Sequence, residues 1–237
     1  MSSWYVPRAL LFAVCLALFT GAQAQQPKPK VLLYKDRLAA EFDTVNVMKN
    51  VFKVNPLLFF RGEVPIYYER ALSPNLSLEV GVGVTLRNYL GLSFSGDDAD
   101  DFGAGTEIIP SLSYRMAVRF YLEADLEPQG WYIQPEFAHL RYAKDIRISD
   151  PMGGLTEERL RDNRIYNDVR ALFGYQSLSY SSNWVLDYYG GFAFRARDMQ
   201  VVTETIDPAT REYSYGVEQR NDWVPALFLG LKVGMGF

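Results

Sequence analysis

From residue 47 onward the chain alternates apolar and polar residues with a period of two. In the clearest segment the apolar positions are Leu76, Leu78, Val80, Val82, Val84 and Leu86. Successive side chains of a β-strand point to opposite faces, so this pattern predicts a strand with one apolar face. The pattern recurs in eight segments, at about 48–60, 64–72, 76–86, 108–120, 131–142, 165–177, 184–197 and 223–237.

The connections between these segments alternate in length. Short turns are predicted at 73–75, about 123–130 and 178–183, whereas the other end has 61–63 and long loops at about 91–106, 143–164 and 198–222. Outer-membrane barrels have an even strand number, short periplasmic turns and longer outside loops. The predicted fold is therefore an all-β, eight-stranded, antiparallel, up-and-down transmembrane β-barrel over residues 47–237, with both termini in the periplasm.

Aromatic residues agree with this orientation. Trp131, Trp184 and Phe237 all fall at the end with the short turns. Amphipathic rings are favoured at a membrane interface, so we expect these three to lie near the periplasmic boundary.

Alternation alone does not say which face points inward, so a soluble barrel of the lipocalin kind is the alternative. The polar face mixes small residues with many charges, which favours a crowded interior over a solvated surface. Unpaired ions away from water are costly, so we expect ion pairs across the lumen. The predicted lumen charge network consists of Lys53, Glu69, Glu79, Arg87, Arg115, Arg119, Glu136, Asp168, Arg170, Asp187, Arg195 and Lys232.

Several prolines fall within or beside the predicted strands. Proline cannot donate to the hydrogen-bond ladder of a closed sheet, so Pro56 and Pro135, inside the first and fifth strands, predict β-bulges. Pro65, Pro110 and Pro225 are assigned to strand starts at the outside rim.

The N-terminus predicts a secretory leader. Arg8 precedes an apolar run of about 11 residues, too short for a spanning helix, and Ala22-Gln23-Ala24 is a small-x-small cleavage site. We therefore expect residues 1–24 to be removed. The mature chain then begins at Gln25 and lacks Cys15, the only cysteine, so disulfide and thiolate chemistry are excluded.

Residues 25–46 are predicted to form a periplasmic N-terminal segment. Its first residues, 25–30, read as an extended linker, and 31–43 fits either a short helix or a strand. Loss of Arg8 with the leader changes the formal charge from −4 to −5, which argues against nucleic acid as a partner.

The C-terminal strand carries apolar residues at every second position and ends in an aromatic residue. Its outward positions include Leu231, Val233, Met235 and Phe237. This ending resembles the signal by which outer-membrane β-barrels are recognised for assembly. The resemblance implies two partners, the barrel-assembly machinery and outer-membrane lipid.

A wider resemblance rests on residues 52–56, 65–70, 76–87 and 234–237. Over about 47–237 the chain resembles a family of small outer-membrane β-barrels of unknown function, similar in build to the transmembrane domain of outer-membrane protein A. The resemblance implies the architecture and no catalytic residues.

Candidates for chemistry are few. Lipid-modifying barrels use Ser, His and an acid, but Glu136 and His139 are three residues apart and therefore point to opposite faces of a strand. Carboxylates in a glycine-rich loop, Asp97, Asp98, Asp100 and Asp101, make a weak calcium candidate, for which a solvated loop is the alternative. We expect no enzyme and no cofactor.

The sequence thus favours a monomeric, non-enzymatic outer-membrane barrel with a side-chain-filled lumen. It would bind an envelope protein or a surface ligand through its loops or its N-terminal segment. A narrow pore is the second hypothesis, and the excess of basic residues on the polar face would make it lean toward anions. A lipid-modifying enzyme is the third.

Overall fold

The computed structural model describes residues 34–44, 47–87, 105–150, 154–179, 182–207 and 213–237. The predicted leader, 1–24, lies outside these ranges. Across them the elements are α1 (Tyr34–Thr44), β1 (Asn50–Val54), α2 (Pro56–Phe59), β2 (Glu63–Ser73), β3 (Leu76–Thr85), β4 (Thr106–Ile109), β5 (Ser111–Tyr121), β6 (Gly130–Ser149), β7 (Leu155–Leu178), β8 (Trp184–Ile206) and β9 (Tyr213–Gly236). No helix in the described part of the chain is long and apolar enough to span a membrane.

Helix α1 resolves the alternative left open for residues 31–43. Leu38 and Phe42 lie four residues apart, on the same face of the helix, and both are buried. The Lys49 ammonium group lies 4.5 Å from the centre of the Phe42 ring. The apolar face of α1 therefore packs against its own chain.

Eight antiparallel strands form a closed ring, in the order β1, β2, β3, β5, β6, β7, β8 and β9, with β9 returning to β1. The short strand β4 also pairs with β6, at residues 143–146, beyond the part of β6 that pairs with β5. Apart from the closing β9–β1 pair and the β3–β5 pair, which passes over β4, each ring pairing joins strands that are consecutive in the chain. The antiparallel all-β architecture with eight ring strands is confirmed.

The two faces of the ring have opposite chemistry. Lys53, Glu79 and Arg119 point inward and are at most 1% exposed. On the outer face, Leu112 is 66% exposed and Leu229 is 84% exposed. The polar faces of the strands therefore line the interior, and the apolar faces form the outside.

The three short turns are confirmed at one end of the ring, here called the turn end. Strand β2 ends at Ser73 and β3 begins at Leu76. The other two turns join β5 to β6, from Tyr121 to Gly130, and β7 to β8, from Leu178 to Trp184.

At the opposite end, here called the hairpin end, two of the predicted long loops are wrong. Strands β6 and β7 continue to pair as far as Ser149↔Leu155, and β8 and β9 continue to Ile206↔Tyr213. Polar residues occupy both faces of these extensions, so the alternation that marks a one-sided strand is absent. The third predicted loop, 91–106, lies mostly outside the described residues.

A short helix replaces part of the predicted first strand. Strand β1 ends at Val54, and the Asn55 side chain accepts a hydrogen bond of 3.1 Å from the Leu57 N–H at the start of α2. Pro56 occupies the first turn, where a missing N–H leaves no intrahelical bond unmade. The predicted bulge at Pro56 is therefore wrong. Helix α2 contacts β2 and β9, the two neighbours of β1.

Pro225 lies in the middle of β9 and not at a strand start. Phe237 exchanges backbone hydrogen bonds of 3.2 and 2.8 Å with Asn50, so odd-numbered residues of β9 direct their backbone groups toward β1. Pro225 has this parity, but the β1–β9 pairing stops at Val54↔Val233. The missing N–H therefore removes no bond from the ladder.

Pro65 follows the same rule on the other side of α2. The Ala71 N–H donates to the Lys49 carbonyl oxygen over 2.8 Å, so odd-numbered residues of β2 face β1. Pairing of β2 with β1 ends at Val54↔Ile66, so Pro65, the residue next to Ile66, has no partner on β1 in this pairing. Pro65 and Pro225 thus both lie on the β1-facing side of their strands, beyond the point where pairing with β1 ends.

Of the remaining two prolines, Pro110 directly precedes β5, as predicted, whereas Pro135 lies inside β6. Pro135 pairs in register with Ala171, and the β5–β6 register is unchanged across it, so the predicted bulge is wrong. Pro110 separates β4 from β5. Across it, the six residues from Ile109 to Tyr114 oppose the five residues from His139 to Ala143, which places a bulge there.

A glycine pair tests the close packing of the ring. A Cβ at Gly191 would lie 2.2 Å from the Ala171 carbonyl oxygen, whereas a Cβ at Gly216 meets nothing within 4 Å. We expect Gly191→Ala to lower the free energy of unfolding by about 1–3 kcal/mol through overpacking. The matched control Gly216→Ala should not lower it. Urea unfolding followed by tryptophan fluorescence measures both, and equal stabilities would contradict the close approach.

Candidate functional site

The ring interior holds two groups of ion pairs, one above the other along the strands. The group nearer the turn end is called the lower cluster. Its members are Lys53, Glu69, Glu79, Arg119, Asp187 and Lys232. The side chains of all six are at most 1% exposed.

Arg119 is the centre of the lower cluster. Its guanidinium nitrogens lie 3.2 Å from Glu69, 3.0 Å from Glu79 and 2.9 Å from Asp187. The same group lies 3.8 Å above the Tyr132 ring, which adds a cation–π contact. One cation therefore ties together carboxylates from three strands.

Two lysines complete the charge balance of the lower cluster. Lys53 Nζ contacts Glu69 at 2.5 Å, Glu79 at 2.9 Å and Asp187 at 3.1 Å. Lys232 Nζ lies 2.5 Å from the second Glu79 oxygen. Three cations thus face three carboxylates, which is the condition for burying charges without an uncompensated ion.

Neutral side chains that sequence reasoning did not select complete this cluster. Gln134 accepts from Arg119 Nε over 2.8 Å, and Gln176 accepts from Lys53 over 2.8 Å. The Tyr121 hydroxyl donates to Glu69 over 2.8 Å, and the Tyr132 hydroxyl donates to Asp187. The only sequence signal for these residues is that they occupy inward-facing positions of their strands. An uncharged residue on a polar face does not by itself indicate that it contacts a buried charge.

The second group is called the upper cluster, and it lies nearer the hairpin end. Arg170 contacts Glu136 at 2.9 Å and Asp168 at 2.6 Å, and Arg195 Nε contacts Asp168 at 2.7 Å. Arg115 pairs with Glu63. Sequence reasoning missed Glu63 because it was assigned to a connection, whereas it is the first residue of β2 and points inward.

Aromatic rings separate the arginines of the upper cluster. The Arg170 guanidinium lies 4.1 Å from the centre of the Phe228 ring, and that of Arg195 lies 4.7 Å from the Tyr166 ring. Three arginines again face three carboxylates. The two clusters therefore contain eleven of the twelve residues expected in the lumen network, with Glu63 added.

Arg87 is the twelfth, and it belongs to neither cluster. It lines a cavity of about 10 Å³ at the hairpin end together with Lys144, Asp162 and Arg164. This volume accommodates about one water molecule. Arg164 Nε donates to Asp162 over 3.0 Å, and Lys144 lies 3.9 Å from the same carboxylate.

Ion pairs on the hairpin extensions are more exposed. Arg161 donates two hydrogen bonds to Asp145, of 2.8 and 3.0 Å, and these hold the pKa of Asp145 below its usual value. Arg197 likewise donates to Asp222 and lowers the pKa of that carboxyl group. Pairs of this kind contribute little to stability in water.

The catalytic alternative has no support from the surroundings of His139. Its Nδ1 lies 2.7 Å from Asn167 Oδ1, and its ring stacks on Tyr114 with centroids 4.8 Å apart. Glu136 points inward to Arg170. These contacts give His139 an amide and an aromatic neighbour instead of the acid and hydroxyl of a nucleophilic site.

The metal candidates remain untested by the structure. Asp97, Asp98, Asp100 and Asp101 lie outside the described residues. Over the residues that the structure does describe, no group of three or more His, Cys, Asp or Glu side chains could hold a metal ion.

The C-terminal strand closes the ring against β1. Met235 and Phe237 lie on the outer face and are more than half exposed, and Leu231 and Val233 share this parity. The Phe237 ring stacks on Phe52 with centroids 5.4 Å apart. The residues expected to form the assembly signal are thus presented on the outside of the closing pair of strands.

No family model matches the chain, and no curated protein is significantly similar to it. The resemblance to small outer-membrane barrels therefore stays a prediction.

Arg119→Met tests the lower cluster. The substitution keeps an unbranched side chain but leaves three buried carboxylates with two lysines, so we expect the free energy of unfolding to fall by about 3–5 kcal/mol. Arg161→Met removes the same charge from an exposed pair on the hairpin extension and should have little effect. Denaturant titration of both variants makes the comparison. A small loss for Arg119→Met would mean that the cluster does not depend on its central cation.

Proposed function

We propose that this protein is a non-enzymatic integral barrel of the bacterial outer membrane, with its interior filled by side chains and its termini in the periplasm. The proposal includes a binding role, in which the hairpin end, the loops or the N-terminal segment contact an envelope protein or a surface ligand. Outer-membrane lipid and the barrel-assembly machinery are its expected general partners.

One observation carries the membrane location: the ring is apolar outside and charged inside. Outward residues such as Val82, Phe120, Phe192 and Leu227 are between 48% and 64% exposed, while the interior charges are buried. Soluble proteins rarely expose contiguous apolar patches larger than a few hundred Å². If lipid hydrocarbon surrounds the ring, the apolar outer face is not exposed to water, and the free-energy cost of that exposure is avoided.

The height of the apolar face supports the same proposal. On β8 the outward positions from Trp184 to Phe194 are apolar or glycine, and polar residues follow from Asp198. Eleven residues at about 3.3 Å each, tilted by about 45°, rise about 25 Å, the height of the apolar band in outer-membrane barrels. The hairpin extensions begin where this band ends.

The interior argues for a binding role over conduction. The lower cluster crosses the lumen with side chains that are at most 1% exposed, and eight-stranded barrels have an interior that side chains fill. The polar hairpin extensions instead offer surfaces that water or a partner can reach. A narrow anion-leaning pore and a lipid-modifying enzyme remain alternatives without a specific supporting contact.

A pair of arginine substitutions tests the membrane location. Leu229 is 84% exposed in the middle of the apolar band, and Val217 is 50% exposed on the hairpin extension of the same strand. In a bilayer Leu229→Arg should destabilise the protein by about 2–4 kcal/mol, whereas Val217→Arg should have an effect near zero. Refolding into lipid vesicles with a urea titration measures both variants. Equal stabilities, or a Leu229→Arg protein that is soluble without detergent, would sink the membrane proposal.

The predicted leader has a separate test. The protein recovered from an outer-membrane fraction should begin at Gln25, which intact-mass analysis and N-terminal sequencing can show. A recovered chain that retains residues 1–24 would contradict secretion with cleavage.

The binding role is tested by purification from the native outer membrane in mild detergent. We expect a partner protein at near-equal amount, identified by mass spectrometry. Discrete conductance in planar bilayers, without a partner, would favour the pore instead.

A further inference from the structure

A shallow, largely open groove of about 810 Å³ crosses the outer face of the ring from β6 to β9 and reaches α2. One of its walls is a row of neighbouring side chains on four strands. The cross-strand pairs that define this row are Trp131↔Tyr175, Tyr175↔Tyr188 and Tyr188↔Leu231. Adjacent strands lie about 4.8 Å apart, so the row alone extends about 14 Å, and Leu57 of α2 continues the lining.

Gly190 forms the floor of the groove. On β8 it is the next outward-facing residue after Tyr188. It belongs to a second outward row, Phe173↔Gly190↔Leu229, in which it lies between two large side chains. A Cβ at this position would lie 3.0 Å from Leu229 Cδ2, so any side chain here would enter the groove. The depression therefore exists because one outward residue of β8 has no side chain.

The lining is chemically asymmetric. The second row presents only hydrocarbon and a phenyl ring, whereas the first row presents the hydroxyls of Tyr175 and Tyr188 and the indole N–H of Trp131. These rings combine an apolar body with a polar tip and suit the boundary between hydrocarbon and head groups. The first row is also the one nearer the turn end. An amphiphile matches this order, with its chain along Gly190 and its head group toward the tyrosines.

We propose that this groove, here called the Gly190 groove, binds one acyl chain of a membrane lipid in preference to bulk lipid. The inference rests on the proposed membrane location and adds a specific lipid site to it. A flat apolar wall contacts lipid without preference, but a groove surrounds a chain on more sides and gains dispersion contacts. The occupant is a lipid and not a second copy of the protein. A second copy would have to place a protruding row of side chains in the groove, and the tyrosine hydroxyls would then lose water and head groups as hydrogen-bond partners.

Trp131 makes the site measurable, since it lines the groove. In the full mature chain, Trp184→Phe and Trp223→Phe leave Trp131 as the sole tryptophan. The protein is inserted into phosphatidylcholine vesicles in which a small, varied fraction of lipid carries bromine on one acyl chain close to the head group, at the depth proposed for Trp131. Bromine quenches tryptophan fluorescence on contact, so quenching reports occupancy next to Trp131.

We expect quenching of Trp131 about threefold above that expected from the bulk fraction of brominated lipid, a preference well below one tenfold step in affinity. Gly190→Leu should bring quenching down to the bulk value by filling the groove. The matched control Gly216→Leu, on the hairpin extension with open space around it, should keep the excess. Circular dichroism and the heat-dependent gel shift check that both variants fold.

Each outcome has a distinct meaning. Quenching that follows the bulk fraction in the parent protein overturns the lipid site while leaving the membrane location intact. An excess that survives in Gly190→Leu also overturns it, because the groove would not be the cause. Absence of quenching together with cross-linked dimers shows that a second copy occupies the groove. Failure to enter vesicles at all overturns the membrane proposal itself.

Discussion

The structure depends on the mutual neutralisation of charges inside the ring. Twelve charged side chains form two balanced clusters, and Arg119 alone contacts three carboxylates. A buried ion without a partner is strongly destabilising, so each inward position constrains the residues on neighbouring strands. The strands are thereby held in one register, because a slip by a single residue would turn every charge outward and every apolar side chain inward.

This interior determines what the outside can be. Charged and polar side chains, together with buried apolar ones such as Leu172 and Phe228, fill the ring. The apolar face of each strand therefore has no core to enter and must face the surroundings. The hairpin extensions of β6–β9 continue beyond that band with polar residues on both faces, and their exposed pairs, such as Arg161 with Asp145, are typical of a wet environment. One chain thus presents two different surfaces, and the change between them occurs within continuous strands.

The sequence allowed the eight ring strands, their inward faces and the short turns to be predicted, because alternation survives wherever one face is buried. Prediction from the sequence failed where this alternation is lost. The extensions past Lys144 and Arg197 carry polar residues on both faces and were mistaken for loops. Pro225 was placed at a strand start because its tolerance depends on where the pairing of β9 with β1 ends, which no local pattern shows. Gln134 and Gln176 were missed because a neutral amide has no signal until its charged partners are located.

The pairing of β1 with β9 differs from every other contact in the ring. It joins Asn50 to Phe237, 187 positions apart, whereas the other ring pairs connect consecutive strands or, for β3 and β5, strands with the short β4 between them. Such a contact has the highest sequence separation in the fold and carries the largest loop-closure entropy. Before it forms, the sheet has two open edges, one at each end of the chain. Closing the ring therefore requires the two strands that lie farthest apart in the sequence to meet, and Phe237 lies in the pair that completes it.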